Sequence, residues 1–475
     1  MSKLLLLGGG AVAAGMLVYL FVRWERAGRE HWVVYLLYGI LVTESALYSN
    51  QTGIPRSIWH PGSGSLQFRL PEVVITTALV ARLLVKGRPT RIGLPGVLWL
   101  AVAGWWAAEA VEGVLRHTDT TQMTYEAKAI VYVMGAYALA AGIPIRRFLE
   151  GRGLQRLVRW SGLAAAALIV TDFAKINLNV NVPIVAPQDS VGVMGTDAAT
   201  IFVVIGMVGL LVELAKEHRD ARTMVCLVPL LFSPFFAFQR AVLLSLGAMV
   251  ALVVVVALGS TARARLRVRA GEVAVVALAV VGVVLAVSVV PALTSQNGAD
   301  NPLASTVSKT VGNTFDNEAK AESAQSRITK WSIAWHDAAQ SPILGQGLGF
   351  EYTYYAAGNG FVTTDLTENI FLDLWLRTGI IGVLLFLAAL VVSLANGFAI
   401  WRLHPDRTVA VLALALLAAV VGLIAAGQVE SVFENYRLAT VLGLSLGMLR
   451  AAVTSAGGST SVMRSYHQLR QYEVV

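Results

Sequence analysis

The sequence predicts an all-α protein, a polytopic transmembrane helical bundle of about 12–13 spans with one long extracytoplasmic loop that contains an amphipathic helix. Three observations lead there. The chain of 475 residues is 56% hydrophobic and only 14% charged, whereas soluble domains carry charge on about a quarter of their residues. Apolar runs of roughly 18 residues or more recur from end to end, each able to cross a hydrocarbon core about 30 Å thick. Basic residues collect in every second loop. A transmembrane barrel would show short alternating strands instead.

Taken in order, the candidate spans fall at roughly 4–22, 32–48, 71–86, 93–111, 125–145, 156–173, 196–215, 222–238, 240–258, 272–292, 368–396, 408–427 and 436–453. The first lacks a small-x-small cleavage site before Arg23 and is expected to stay as a helix. Arg23, Arg26 and Arg29 follow it, "KGRPTR" follows the third, "IRRFLEGRGLQRLVR" the fifth, "KEHRDAR" the seventh and "TARARLRVR" the ninth. Arg402 and Arg407 follow the eleventh, and Arg450, Arg464 and Arg470 the last. By the positive-inside rule these loops are cytoplasmic, which puts the N-terminus outside and the C-terminus inside. The net charge of +8 is therefore read as topology, with the lipid bilayer as partner and no nucleic acid. The lone Cys226 excludes a disulfide framework and a cysteine-based metal site.

Residues 1–475 read as one integral membrane domain, and the long polar stretch 293–367 as an extracytoplasmic loop. Within it, "ESAQSRITKWSIAWHDAAQSPILGQGLGF" has helical spacing, with Ile328, Trp331, Trp335 and Ala338 or Ala339 along one face and Arg327, Lys330, Asp337 and Gln340 on the others. Trp331 and Trp335 suit a membrane interface. Ser341-Pro342 should end the helix. "GQGLGF" lacks the Lys-Ser/Thr ending of a phosphate loop. A polar spacer follows, then Glu368-Asn369 at the head of a span carrying "RTGIIGVLLF", where Asp373 and Arg377 have the i,i+4 spacing of an ion pair.

This order of parts over about 327–382 resembles the C-terminal signature region of the O-antigen ligase and O-antigen polymerase family, bacterial polytopic membrane glycan ligases and polymerases. "FFAFQRAVLLSLGAMVALVVV", with Arg240 at the start of a span, looks like that family's Ser-Arg-Gly-type motif. The family commonly places His before the Asn at the head of the span; here the residue is Glu368. The resemblance implies about 12 spans, a multi-pass protein of the bacterial cytoplasmic membrane, and an active site on its periplasmic face. It implies a glycosyltransferase whose donor is a glycan on polyprenyl pyrophosphate and whose acceptor is a hydroxyl of a glycan, lipid or core oligosaccharide, with no cofactor and no metal.

That chemistry asks for cations to hold the leaving pyrophosphate, for which arginine's planar fork is suited, and for a base near the acceptor hydroxyl. On the resemblance, Glu368 is the candidate catalytic base, with Asn369 orienting it or the acceptor. Arg240 and Arg327 are the candidate pyrophosphate ligands, joined by Lys128 and Arg437 at outer span edges. Glu368 also reads as a plain acid at a helix N-terminus, Arg240 as a snorkelling side chain and Arg327 as a solvated one. Glu44, Glu72, Glu109, Glu112, Asp172, Glu430 and Glu434 lie near outer span ends as well. Glu368 in the His slot leans toward polymerase over ligase. A lipid-linked oligosaccharide flippase is the rival, although neither related halves nor paired broken helices are evident; a non-catalytic envelope scaffold is the third reading.

Overall fold

The computed structural model describes residues 2–47, 69–87, 93–178, 196–216, 218–237, 240–258, 317–356, 360–365, 367–430, 432–433 and 435–455. The expected span at 272–292, the loop 259–271 and the stretch 293–316 lie outside them. Among the described residues the fold is helical apart from one hairpin. The order is α1 (Ser2–Arg26), α2 (Trp32–Leu47), α3 (Leu70–Lys86), α4 (Leu94–Leu115), α5 (Thr120–Ala141), α6 (Ile145–Glu150), α7 (Gly153–Leu178), α8 (Thr196–Ala215), α9 (Ala221–Ala237), α10 (Arg240–Leu258) and α11 (Asn317–Gln340). Then come β1 (Tyr352–Ala356), β2 (Gly360–Thr364), α12 (Ile370–Leu403), α13 (Arg407–Ala426) and α14 (Tyr436–Ser455).

By length and composition α4, α8, α12, α13 and α14 can each cross a membrane, and shorter apolar helices at Trp32–Glu44, Ala221–Pro234 and Ala241–Val256 stand among them. This is an all-α polytopic membrane protein. Helices α8 and α13 are apolar all round and buried at the centre, as such helices must be. On the perimeter, Val97, Leu100 and Val111 of α4 and Leu384, Val391 and Phe398 of α12 are exposed, an apolar surface of the kind lipid covers.

Two backbone devices position the functional end. The first is the α5–α14 crossing. Gly443 and Gly447, one turn apart on α14, lie so close to α5 that a Cβ on them would sit 2.3 Å from the Val133 carbonyl oxygen and 2.5 Å from that of Tyr137. Small residues at this spacing let membrane helices approach to backbone contact. The start of α14 is thereby set against Tyr132 of α5.

The second is a break in α12. Gly379 has φ 61° and ψ −172°, so the helical ladder fails there. The stretch after α11 fills the gap: Gln346 N–H donates to the Leu376 carbonyl (2.7 Å), Gly347 N–H to the Arg377 carbonyl (3.1 Å), and Ile380 N–H to the Pro342 carbonyl (2.9 Å). Non-helical backbone at a membrane helix is tolerated where other backbone satisfies it. The "GQGLG" and "RTGIIG" segments are thus two halves of one joint.

α11 ends at Gln340, as Ser341-Pro342 predicts. The spacing leaves open which face is covered. Lys330, Ala334 and Ala338 face inward, while Ile328 and Trp335 are exposed. The alanines let α11 lie close to a small core of Tyr352, Tyr354 and Leu376, and a carboxylate described below draws Lys330 in. The expected polar spacer is an antiparallel hairpin, with Tyr352 opposite Thr364 and Ala356 opposite Gly360.

Candidate functional site

The starts of α3, α5, α8, α12 and α14 and the ends of α2 and α13 meet at one end of the bundle, through the charged contacts that follow. The opposite end holds Glu25, paired with Arg82 (2.7 Å) and Lys86 (2.8 Å), and the Arg159–Asp220 pair.

Glu368 precedes α12 and adopts φ 55°. A left-handed conformation costs an L-residue about 1–2 kcal/mol, so something must hold it. Arg327 Nε lies 2.9 Å from its Oε2 and Lys330 Nζ 3.0 Å from its Oε1, both cations from α11. The Lys330 side chain is only 8% exposed. Trp331 Nε1 donates to the Thr367 carbonyl (2.7 Å), and the Thr367 hydroxyl accepts from Asn369 N–H (3.2 Å). Asn369 caps α12, its Oδ1 accepting from Phe371 and Leu372 N–H at 3.1 Å each. Its amide donates to the Gln428 carbonyl (3.5 Å), and Ile370 N–H donates to the Gly427 carbonyl (2.7 Å), binding the turn after α13 to the head of α12.

That turn carries Glu430. Burial, then the negative charges of Glu368 and Asp197, push its carboxyl up to about 7 against the opposing pull of Arg327. Asp197, at the start of α8, pairs with Arg437 of α14, whose other guanidinium nitrogen is 3.6 Å from Glu44 at the end of α2. The Tyr436 hydroxyl donates to Glu44, and its ring lies 5.5 Å from that of Tyr132, which donates to Glu72. Lys128 is 3.5 Å from Glu72, and Arg69 lies 3.8 Å above the Tyr436 ring. A continuous ribbon of polar contacts thus links Lys128 to Asp197 across this end, and Glu430 feels the charges of both Asp197 and the Arg327–Glu368 pair.

Arg377 is different in kind. It is fully buried, pairs with Asp373 (3.0 Å) as the sequence spacing predicts, pairs also with Glu126 of α5, and donates to the Asp365 carbonyl. Glu126 in turn accepts from Gly349 N–H (2.7 Å). These groups join α5, α12 and the glycine-rich stretch, a structural node.

The family model described as O-antigen ligase matches residues 225–387. The chain carries the O-antigen ligase domain. No curated protein matches the chain.

Of the residues singled out in the sequence, the structure brings Glu368, Asn369 and Arg327 together inside the O-antigen ligase domain. Arg240, also inside it, opens α10; its side chain lies outside the described set. Lys128 and Arg437 lie outside the matched segment, at opposite parts of the ribbon, each paired with acids. Glu109, readable as a solvated acid, is buried, because Leu348 of the glycine-rich stretch donates its N–H to the Glu109 carbonyl (3.3 Å) and covers that turn of α4. Sequence reasoning did not single out Asp197, Tyr132, Tyr436 or Lys330 as site residues. A polar residue heading an apolar run was the available signal for Asp197; the other three had none. Among the described residues no three His, Cys, Asp or Glu side chains are grouped to hold a metal ion.

Proposed function

We propose that this protein is a membrane glycosyltransferase that moves a glycan from a polyprenyl-pyrophosphate donor to an acceptor hydroxyl at the outer face of the cytoplasmic membrane, as a surface-polysaccharide polymerase or O-antigen ligase. The observation that carries the reading is the Arg327–Glu368–Lys330 cluster at the head of α12, inside the O-antigen ligase domain. A pyrophosphate needs cations more than it needs an acid, because it is already a good leaving group. Arg327 and Lys330, with Arg240 from the start of α10, supply them. Glu368 neutralises the two α11 cations until the phosphates arrive and compete for them. The hydroxyl is then activated by a carboxylate of this cluster, for which Glu368, oriented by Asn369, is the candidate that the family resemblance offers. Lys128 and Arg437 extend the cationic surface toward the glycan.

The test uses purified protein in vesicles with the lipid-linked glycan extracted from cells lacking it. Growth of the glycan, or its transfer with release of polyprenyl pyrophosphate, supports the proposal. Redistribution between leaflets without transfer makes it a flippase, and neither makes it a scaffold. Single-unit caps on the surface of deletion cells indicate a polymerase; full-length chains left on the carrier indicate a ligase.

A further inference from the structure

We propose that Glu430, and not Glu368, is the general base that takes the proton from the attacking hydroxyl. The inference rests on the glycosyl-transfer reading above and names a residue outside the matched segment, which ends at 387.

The two carboxylates are differently engaged. Both oxygens of Glu368 are engaged, one by Lys330 and one by Arg327, at 3.0 and 2.9 Å. Its left-handed backbone and its place directly before the α12 cap fit a residue that holds two cations in position. Glu430 makes no hydrogen bond or ion pair among the described residues. It sits in the turn after α13 that is bonded to Asn369 and Ile370, so it is carried to the same spot as the cap. The charges that face it are Glu368 before α12, Arg327 on α11 and Asp197 at the start of α8. Behind them stand Lys330, held by Glu368, and Arg437, held by Asp197. Two carboxylates in one cluster with environments this different divide their labour: the paired one stays charged and organises, and the unpaired one exchanges a proton. A carboxyl pushed up to about 7 is matched to that work at neutral pH.

In the step itself, the acceptor O–H proton passes to a Glu430 carboxylate oxygen while the acceptor oxygen bonds to the anomeric carbon. The bond from that carbon to the pyrophosphate oxygen breaks, and its electron pair leaves on the pyrophosphate held by the cations. Glu430 then returns its proton to water.

The experiment is the pH–rate profile of transfer, in vesicles with the lipid-linked glycan extracted from cells lacking the protein. Wild-type turnover is expected to fall as pH drops below about 7, with the slope of one proton, since the base works only when ionised. Glu430→Gln should lower turnover about 10²-fold or more and flatten that limb, with donor capture retained. Glu430→Asp should restore part of the rate and the limb. Glu368→Gln should move the limb to lower pH, because it removes a negative neighbour of Glu430 and frees Arg327 to act on it, and both effects favour the ionised form. Glu430→Gln protein with the wild-type rate and limb overturns the proposal, as does a limb that Glu368→Gln leaves in place, which decides the matter even if Glu430→Gln does not insert. Wild-type protein that transfers no glycan at all overturns the parent reading, and this inference with it.

Discussion

Replacing Gly379 by alanine tests the joint in α12. The added Cβ would sit 2.0 Å from the Ile343 carbonyl oxygen and 2.6 Å from Leu344 N, and the backbone there has φ 61° and ψ −172°, a region essentially confined to glycine. The conformational penalty is about 1–3 kcal/mol. Relieving the clash means moving the 342–347 stretch, which puts at risk three hydrogen bonds between it and α12, those of Gln346, Gly347 and Ile380 N–H. At about 1 kcal/mol each, the expected loss is about 4–6 kcal/mol in all. Thermal unfolding in detergent, followed by monodispersity, should show a drop of many degrees. Gly104→Ala is the control, with nothing within 4 Å of its new Cβ and an ordinary helical site, where alanine is expected to be neutral or stabilising by about 0.5–1 kcal/mol. Activity should fall with stability, because Glu368 and Asn369 stand at the head of α12, ahead of the break. If Gly379→Ala melts with the wild type, the joint is not what holds α12 in its bent form and the reasoning fails.

Arg327→Ala should lower glycan transfer severely and weaken donor capture, with Arg327→Lys restoring only part, because a lysine lacks the bidentate fork; the same order is expected at Arg240, and wild-type transfer by folded alanine variants removes both from donor binding. In a Cys226→Ser background, membrane-impermeant thiol reagents added to cells should label Thr363→Cys on the hairpin and not Arg152→Cys at the other end; the reverse pattern would put the site in the cytoplasm. Arg377→Met should cost about 3–5 kcal/mol by leaving Asp373 and Glu126 buried without their cation, read as loss of folded protein in detergent, and a wild-type melting profile would mean the node is dispensable.

What the sequence disclosed, and what it hid, divides by range. The long apolar spans were legible because lipid imposes one rule over twenty residues, and the Asp373–Arg377 pair and the end of α11 at Ser341-Pro342 because each is decided within one helical turn. The inward face of α11 was not. Apolar spacing gathered Ile328, Trp331 and Trp335 on one face without saying what covers it, and Lys330 is buried because Glu368, 38 residues on, offsets its desolvation with a 3.0 Å contact. The hairpin had a local signal, tyrosines in "EYTYYA" and β-branched residues in "FVTT" with the sequence Gly-Asn-Gly between them, obscured by the expectation of a polar spacer. The ribbon from Lys128 to Asp197 was invisible because its members come from five separate helices, α2, α3, α5, α8 and α14, that only the folded bundle brings together.

The same division explains why the stretch that most resembles the family does not contain the whole site. Within 327–382, the glycines and Arg377 build a joint, and Arg327, Lys330 and Glu368 build a charge clamp on top of it. All of these interactions close between α11 and α12 or onto α5, so a short ordered signature can describe them. A base must stand apart from the clamp, since a carboxylate tied to two cations is occupied by them. It therefore has to come from another element, and α13 delivers it by running the length of the bundle and turning at Gly427 directly under the α12 cap. Together with the bond from the Asn369 amide to the Gln428 carbonyl, the hydrogen bond from Ile370 N–H to the Gly427 carbonyl, at 2.7 Å, fixes this arrival. A change that weakened it would leave the clamp whole and move Glu430 alone, lowering turnover while donor capture stayed as it was.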